Sequence, residues 1–451
     1  MSVKYGVVTG ICRHYLSLVV VPALALMFSG VVQALPDIES WTTEAGSRVL
    51  FVAAHELPMV DVRVVFDAGG ARDAKQPGIA RLTNAMLDQG AAGLDANAIA
   101  QGLEQQGAEI SNGVDRDMAW LSLRSLSDKQ QLEPSFALFR KVLSRADFPE
   151  EDFRRSQRLS LVALEYQEQK PASLSDKAFY KHVYGEHPYA SNLAGTLESI
   201  SALTRDELIA FYQRYYVSTN AVIVLVGDLS TRQAKRMADE LSADLPRGKP
   251  AAKLPPVADL PRGEQVFVEY PSSQSHVLMG APGVSRGDPD YFALYVGNFI
   301  LGGSGLVSRI SDEIREKRGL SYSAYSYFVP LRKRGPYTLG FQTRTDQREE
   351  ALQVLRDTVQ TFVDEGPTEA ELTSAKNNIV GGFPLRVASN SKITEYLAVI
   401  GFYDLPLDYL SAFPGKIKAV TTGQIRDAYQ RRVKVDDMVT VIVGAADDGD
   451  T

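Results

Sequence analysis

The segment Thr421-Thr422-Gly423-Gln424-Ile425-Arg426-Asp427-Ala428-Tyr429-Gln430-Arg431, with its sequel Val439-Thr440-Val441-Ile442-Val443-Gly444, has a counterpart earlier in the chain. There Thr204, Glu207-Leu208, Tyr212-Gln213-Arg214 and Val222-Ile223-Val224-Leu225-Val226-Gly227 stand in the same order, each 217 residues before its mate. Valine-rich alternation alone is common among strands. A shared Tyr-Gln-Arg triplet, a helix-starting Thr and a closing Gly at one offset are not. The chain reads as two homologous halves, each of which ends in a helix followed by a strand.

Working outward, Leu245-Pro246 to Leu260-Pro261 is Pro-rich and lacks both the helical and the strand period, so it reads as an extended linker over 246–261. This divides the chain into 1–34, 35–245, 246–261 and 262–451. In the first half, 60–67 and 118–126 alternate as strands, and helices are predicted over 79–87, 96–106, 149–169 and 174–184. The second half repeats the order, with strands at 274–279 and 337–343 and helices at 289–301, 307–317, 348–364 and 369–380. The implied class is α+β: two halves, each a mainly antiparallel sheet with packed helices.

A chain of 451 residues exceeds one ordinary core. Its 45% hydrophobic and 23% charged residues are those of a soluble globular protein, and a net charge of −7 without a basic patch argues against a nucleic-acid partner. Lys4, Arg13, the apolar run from Tyr15 to Phe28 and the small residues Val32 and Ala34 read as a secretory signal cut after Ala34. An uncleaved anchor is the competing reading. Cys12, the chain's one cysteine, would leave with the signal, so neither disulfides nor thiol chemistry is expected in the exported protein.

Arg315-Glu316-Lys317-Arg318-Gly319-Leu320-Ser321-Tyr322 closes the predicted 307–317 helix. Gly319 falls where a helix ends in a left-handed cap, and the aromatic run from Leu320 to Phe328 reads as the next strand. A guanidinium on the last helical turn and a phenol at the start of that strand could converge on a carbonyl oxygen gaining negative charge. The plain alternative also stands: the helix dipole favours an Arg there, and a Tyr in a strand needs no special role.

This run resembles the arginine–tyrosine signature in the second half of pitrilysin/insulinase-like zinc peptidases, and the resemblance covers nearly all of 35–445. It implies two similar α+β halves facing each other across a chamber, with Arg315 and Tyr322 holding the substrate backbone opposite the metal. Zinc in that family is bound by His-x-x-Glu-His on a first-half helix. The matching segment here is Gly78-Ile79-Ala80-Arg81-Leu82-Thr83-Asn84-Ala85, placed by its Gly-x-Ala lead-in and the preceding Asp67-Ala68-Gly69-Gly70. The chemical positions fall on Arg81, Asn84 and Ala85, which offer neither imidazole nor carboxylate. The family's downstream glutamate ligand would correspond to Glu165 or Glu168, and one carboxylate alone does not hold zinc. No metal is expected in this chain.

Other motifs add little. His182 and His187 are five residues apart, the wrong spacing for helical ligands, and His187-Pro188-Tyr189 resembles a structural loop of the family. His55 and His276 are isolated and read as surface or capping residues. Gly302-Gly303-Ser304-Gly305 precedes a helix but lacks the Gly-Lys-Ser/Thr ending of a nucleotide loop.

The resemblance therefore implies the non-zinc subunit of a two-chain peptidase. It would act in the periplasm as a heterodimer with a zinc-bearing homologue, on peptide or unfolded polypeptide. A peptidase-like scaffold or peptide-binding protein without catalysis is the alternative. A zinc hydrolase with unrecognised ligands is a third, and it requires metal in the isolated chain.

Overall fold

The computed structural model describes residues 37–446, so the signal expected over 1–34 lies outside the described residues. Two sheets carry the architecture. The first contains β1 (Glu39–Thr42), β2 (Arg48–Ala53), β3 (Met59–Phe66), β4 (Glu109–Val114), β5 (Ala119–Leu126) and β6 (Ala221–Gly227), in the order β1-β2-β6-β3-β5-β4. The second contains β7 (Glu264–Glu269), β8 (Gln274–Pro282), β9 (Ala324–Phe328), β10 (Pro336–Arg344) and β11 (Val439–Gly444), in the order β9-β10-β8-β11-β7. Apart from β1 the two are the same sheet. In each, one parallel pair (β2 with β6, β7 with β11) adjoins an antiparallel remainder.

The helices follow the same duplicated order. The first half has α1 (Ile79–Ala85), α2 (Ala96–Glu104), α3 (Lys129–Ser144), α4 (Glu150–Glu168), α5 (Pro171–Tyr184), α6 (Leu197–Ala202), α7 (Arg205–Tyr215) and α8 (Thr231–Asp244). The second has α9 (Tyr291–Asn298), α10 (Arg348–Glu365), α11 (Glu369–Arg386), α12 (Asn390–Phe402), α13 (Tyr409–Ala419) and α14 (Thr422–Arg432).

The repeated residues have a physical reason. Thr204 and Thr421 cap α7 and α14, each accepting from the backbone N–H three residues on, while Glu207 and Gln424 reach back to the cap N–H. Tyr212 and Tyr429 are buried under these helices. The closing glycines allow close strand approach: a Cβ on Gly227 would stand 2.2 Å from the Met59 carbonyl, and one on Gly444 2.6 Å from the Ser275 hydroxyl.

The halves are interlocked. Helix α5 of the first half packs on β8 and β11 of the second sheet, and α12 of the second half packs on β6 and β3 of the first. Close approach is built in at both places. A Cβ on Gly280 would lie 2.9 Å from the Phe179 ring, and one on Gly401 2.6 Å from Val222 and 2.7 Å from Leu50. A polar latch accompanies the exchange. The buried Asp117 accepts from the Tyr189 hydroxyl (2.7 Å), the Arg332 backbone N–H (2.7 Å) and the Tyr403 hydroxyl (2.9 Å).

Residues 246–263 form neither helix nor strand, but they are held along their length. Arg72 donates to the Ala252 carbonyl, His187 Nε2 pairs with the Pro255 carbonyl and Arg334 donates to that of Val257.

Two predicted boundaries are corrected. The helix expected over 307–317 is composite: a 3₁₀ turn (Gly305–Val307), a single α turn (Arg309–Ser311) and a π turn (Asp312–Glu316). Ser308 takes an extended backbone and caps the restart by accepting from Ser311 N–H. The strand expected from Leu320 begins only at Ala324. The Ser321 hydroxyl donates to the Ser323 carbonyl and accepts the Ser323 N–H, while Thr343 donates to the Leu320 carbonyl, so these groups are diverted from a ladder. Within 302–305, a π turn over Phe299–Gly303 continues α9 and the 3₁₀ turn starts at Gly305.

Candidate functional site

Arg315 lies in the Asp312–Glu316 π turn, a wide turn often found at functional positions. Gly319, at φ +64°, reverses the chain after it, and the Leu320 N–H closes the turn on the Ile314 carbonyl (2.9 Å). The segment is pinned from below. Arg309 makes a two-pronged pair with Glu371 of α11 (2.6 and 2.7 Å) and also donates to the Gly366 carbonyl. The Arg309 guanidinium holds the Glu371 carboxyl down at about 2. Lys317 and Arg318 both bind Glu313, whose carboxyl their hydrogen bonds lower.

The fold brings Arg315 and Tyr322 together. The guanidinium carbon stands 4.6 Å from the centroid of the Tyr322 ring, a cation–π contact, and Nε is 3.4 Å from Glu316. Tyr322 sits in the bend before β9 and is 84% exposed. Both polar ends are thus presented on one surface.

Arg81, Asn84 and Ala85, the positions expected to match the metal motif, lie on α1. Asp73 accepts from the Gly78 and Ala80 N–H groups and from the Ser191 hydroxyl at the start of that helix, and burial pushes its carboxyl up to about 7. Arg81 and Ala85, one turn apart, are on the exposed face. Asn84 points inward, its amide donating to the Trp120 carbonyl (3.2 Å) and the Tyr216 hydroxyl (3.1 Å). Arg81 and Ala85 offer no ligand atom, and the Asn84 amide is already engaged in the core. This donor set does not fit zinc.

Glu165 and Glu168 are exposed on α4, with Glu168 near Lys177 (3.9 Å). The histidines go separate ways. His187 Nδ1 accepts from the Tyr189 N–H while Nε2 faces the Pro255 carbonyl, His182 pairs with Glu264, and His55 pairs with Asp228. His276, on β8, is lowered in pKa by burial. Among the described residues no group of three or more His, Cys, Asp or Glu side chains could hold a metal ion. The chain is zinc-less by the chemistry of its side chains.

A cleft of about 970 Å³ runs between α1 and α5 toward Val329 and Leu331 of the second half. Arg116 lines it, donating to the Tyr189 and Ser191 carbonyls and stacking 3.3 Å from the Tyr180 ring centroid. Sequence patterns give no signal for this cleft, because it forms only when α5 crosses to the second sheet. Arg315 and Tyr322 do not line it.

Two family profiles match the chain, one over 48–197 and the next from 202, before the 246–261 segment. Residues 48–197 match the profile of the insulinase family (peptidase family M16), and residues 202–379 match the peptidase M16 inactive domain. The crystal structure of a peptidase M16 inactive domain from Pseudomonas fluorescens superposes with a TM-score of 0.88 at 42% identity, covering 91% of this chain and 98% of that one. A non-peptidase homolog, YmxG, from Helicobacter pylori is 26% identical over 89% of this chain and 92% of its own length. The periplasmic protease PqqL of Escherichia coli shares the fold at a TM-score of 0.76 and 17% identity, with 91% of this chain matching 46% of that one. The chain belongs to the insulinase-like M16 peptidase family.

Proposed function

We propose that this protein is the non-zinc subunit of a two-chain M16 peptidase, exported to the periplasm, where a homologous partner supplies the zinc. Its work is to hold peptide or unfolded polypeptide and to polarise the scissile carbonyl. The observation that carries this reading is the Arg315–Tyr322 pair, kept and held together on one surface, in a chain whose own metal positions cannot bind metal. Stacking on the phenol fixes the guanidinium plane and leaves its N–H edge for an incoming oxygen. The Tyr322 hydroxyl supplies a second donor. Two oriented donors stabilise charge that develops on a carbonyl oxygen without reorganising. An extended peptide would pair with an open sheet edge, as strand-adding ligands do. That PqqL matches this chain over less than half its length supports the idea that a full chamber needs a second, similar chain.

The test starts with the partner. Purification from the native cell envelope identifies the bound zinc-bearing homologue, and peptide cleavage is then measured for the reconstituted pair. Loss of either donor, in Arg315→Ala or Tyr322→Phe, is expected to cost about 10²–10³ in rate with assembly intact. Cleavage unchanged in both variants removes the catalytic role.

One observation favours a second reading, that of a peptide-binding scaffold without catalysis. The H. pylori relative that aligns over most of the chain is itself called a non-peptidase homolog. Under that reading the pair still binds peptide, and no partner restores turnover.

A further inference from the structure

The face of α1 that lost its metal residues opens onto a groove. Leu82, Leu164 and Ile200, all buried, form its floor, and the small residues Ser156, Ser160 and Ala163 of α4 form the opposite wall. Ala85, where the family has an imidazole, leaves the rim low. The groove holds about 290 Å³, at or below the low end of the roughly 300–1,000 Å³ of small-molecule sites. Arg81 is its one charged lining residue, and it has neither a hydrogen bond nor an ion pair among the described residues. Leu159 of α4 also lines the groove and beyond it α4 exposes Val162 and Tyr166, all three about 60% accessible. Large apolar side chains grouped on a surface mark a contact site.

We infer that this groove seats an apolar side chain of a bound polypeptide, with an acidic neighbour in that polypeptide meeting Arg81. The inference rests on the peptide-holding role proposed above and adds a second grip, in the half without the Arg315–Tyr322 pair. Three observations select a polypeptide as the occupant. The volume suits one side chain. The unpaired guanidinium at the rim, with no carboxylate in the lining, asks for an acidic flank. The groove also opens into the 970 Å³ cleft, sharing Arg81, Leu164, Gln167 and Ala194 with it, so a chain has room to continue toward the second half.

The test is fluorescence anisotropy on the full chain with a short fluorescein-labelled peptide, a leucine flanked by glutamates. Ala85→Phe fills the groove from an exposed position and is expected to weaken binding about tenfold or more. Arg81→Glu weakens it a few-fold, and a peptide with lysines in place of the glutamates recovers the loss. Circular dichroism and thermal unfolding check that each variant is folded. Should Ala85→Phe be destabilised, Ser160→Trp fills the groove from the opposite wall and decides. Peptide that binds the wild type and both filled variants equally overturns this inference while leaving the proposed function standing. A wild type that binds no peptide, alone or with its partner, overturns both. Loss of self-association in Ala85→Phe at unchanged peptide affinity assigns the groove to a second copy and also overturns it.

Discussion

Arg309 and Glu371 show how one ion pair sets a candidate site. Their two-pronged contact fixes the start of the composite helix on α11, and Arg315 follows within two turns. Because the Glu371 carboxyl is held at about 2 against an ordinary 4.5, its stabilisation is fully present above about 4.5 and is lost as pH falls through about 2. Glu371→Gln is expected to cost about 1–3 kcal/mol in urea titrations near neutral pH. The gap between variant and wild type should close on acidification.

Asp73 has the opposite sign. Its carboxyl, raised from 3.8 to about 7, stays protonated in the folded chain after it has ionised in the unfolded one, so its contribution declines as pH rises from about 4 through about 7. Asp73→Asn should flatten that part of the stability–pH curve, measured by thermal unfolding between pH 5 and 8. Asn84 belongs to the same scale. Asn84→Ala leaves the Tyr216 hydroxyl and the Trp120 carbonyl short of a partner and should cost about 1–3 kcal/mol, with peptide binding unchanged.

At the level of elements, the helices and strands with clean periods were legible in the sequence. Those whose geometry is set elsewhere in the chain were not. β3, β5, α1 and α2 appear within a few residues of their predicted ends because alternation or amphipathic spacing marks them. Helix α3 is masked by Pro134 in its interior, and β4 by an Asn112-Gly113 pair that reads as a turn although the strand is an edge. Strand β2 is a continuous buried run with no alternation to detect. The π turns at 299–303 and 312–316 leave no residue pattern, so the wide turn that presents Arg315 was invisible. Gly319 was legible, and for the physical reason given: its φ of +64° is strained for a residue with a Cβ. Gly319→Ala, with open space around the new methyl, should cost about 1–2 kcal/mol from backbone strain alone. It should also shift Tyr322, read as a change in peptide affinity.

Over the whole molecule, duplication in sequence became exchange in structure. A constant 217-residue offset revealed two halves, but nothing in it revealed that α5 and α12 would each complete the other half's sheet. That crossing depends on small residues, Gly280 and Gly401, that carry no periodic signal. Separately expressed halves would each lack a covering helix. The chain is therefore expected to unfold in one transition, with tryptophan fluorescence from the first half (Trp41 and Trp120) coinciding with far-ultraviolet circular dichroism. Gly401→Leu should lower the midpoint of both signals together.

Arg81, Asn84 and Ala85 are readable from the sequence as residues whose atoms offer zinc neither imidazole nor carboxylate. The catalytic claim needs a second chain. It is tested most directly by the rate of peptide cleavage in the reconstituted pair, wild type against Arg315→Ala. The account predicts a fall of about 10²–10³ with zinc content and assembly unaltered. An unchanged rate, or full cleavage by this chain alone that a chelator abolishes, contradicts it.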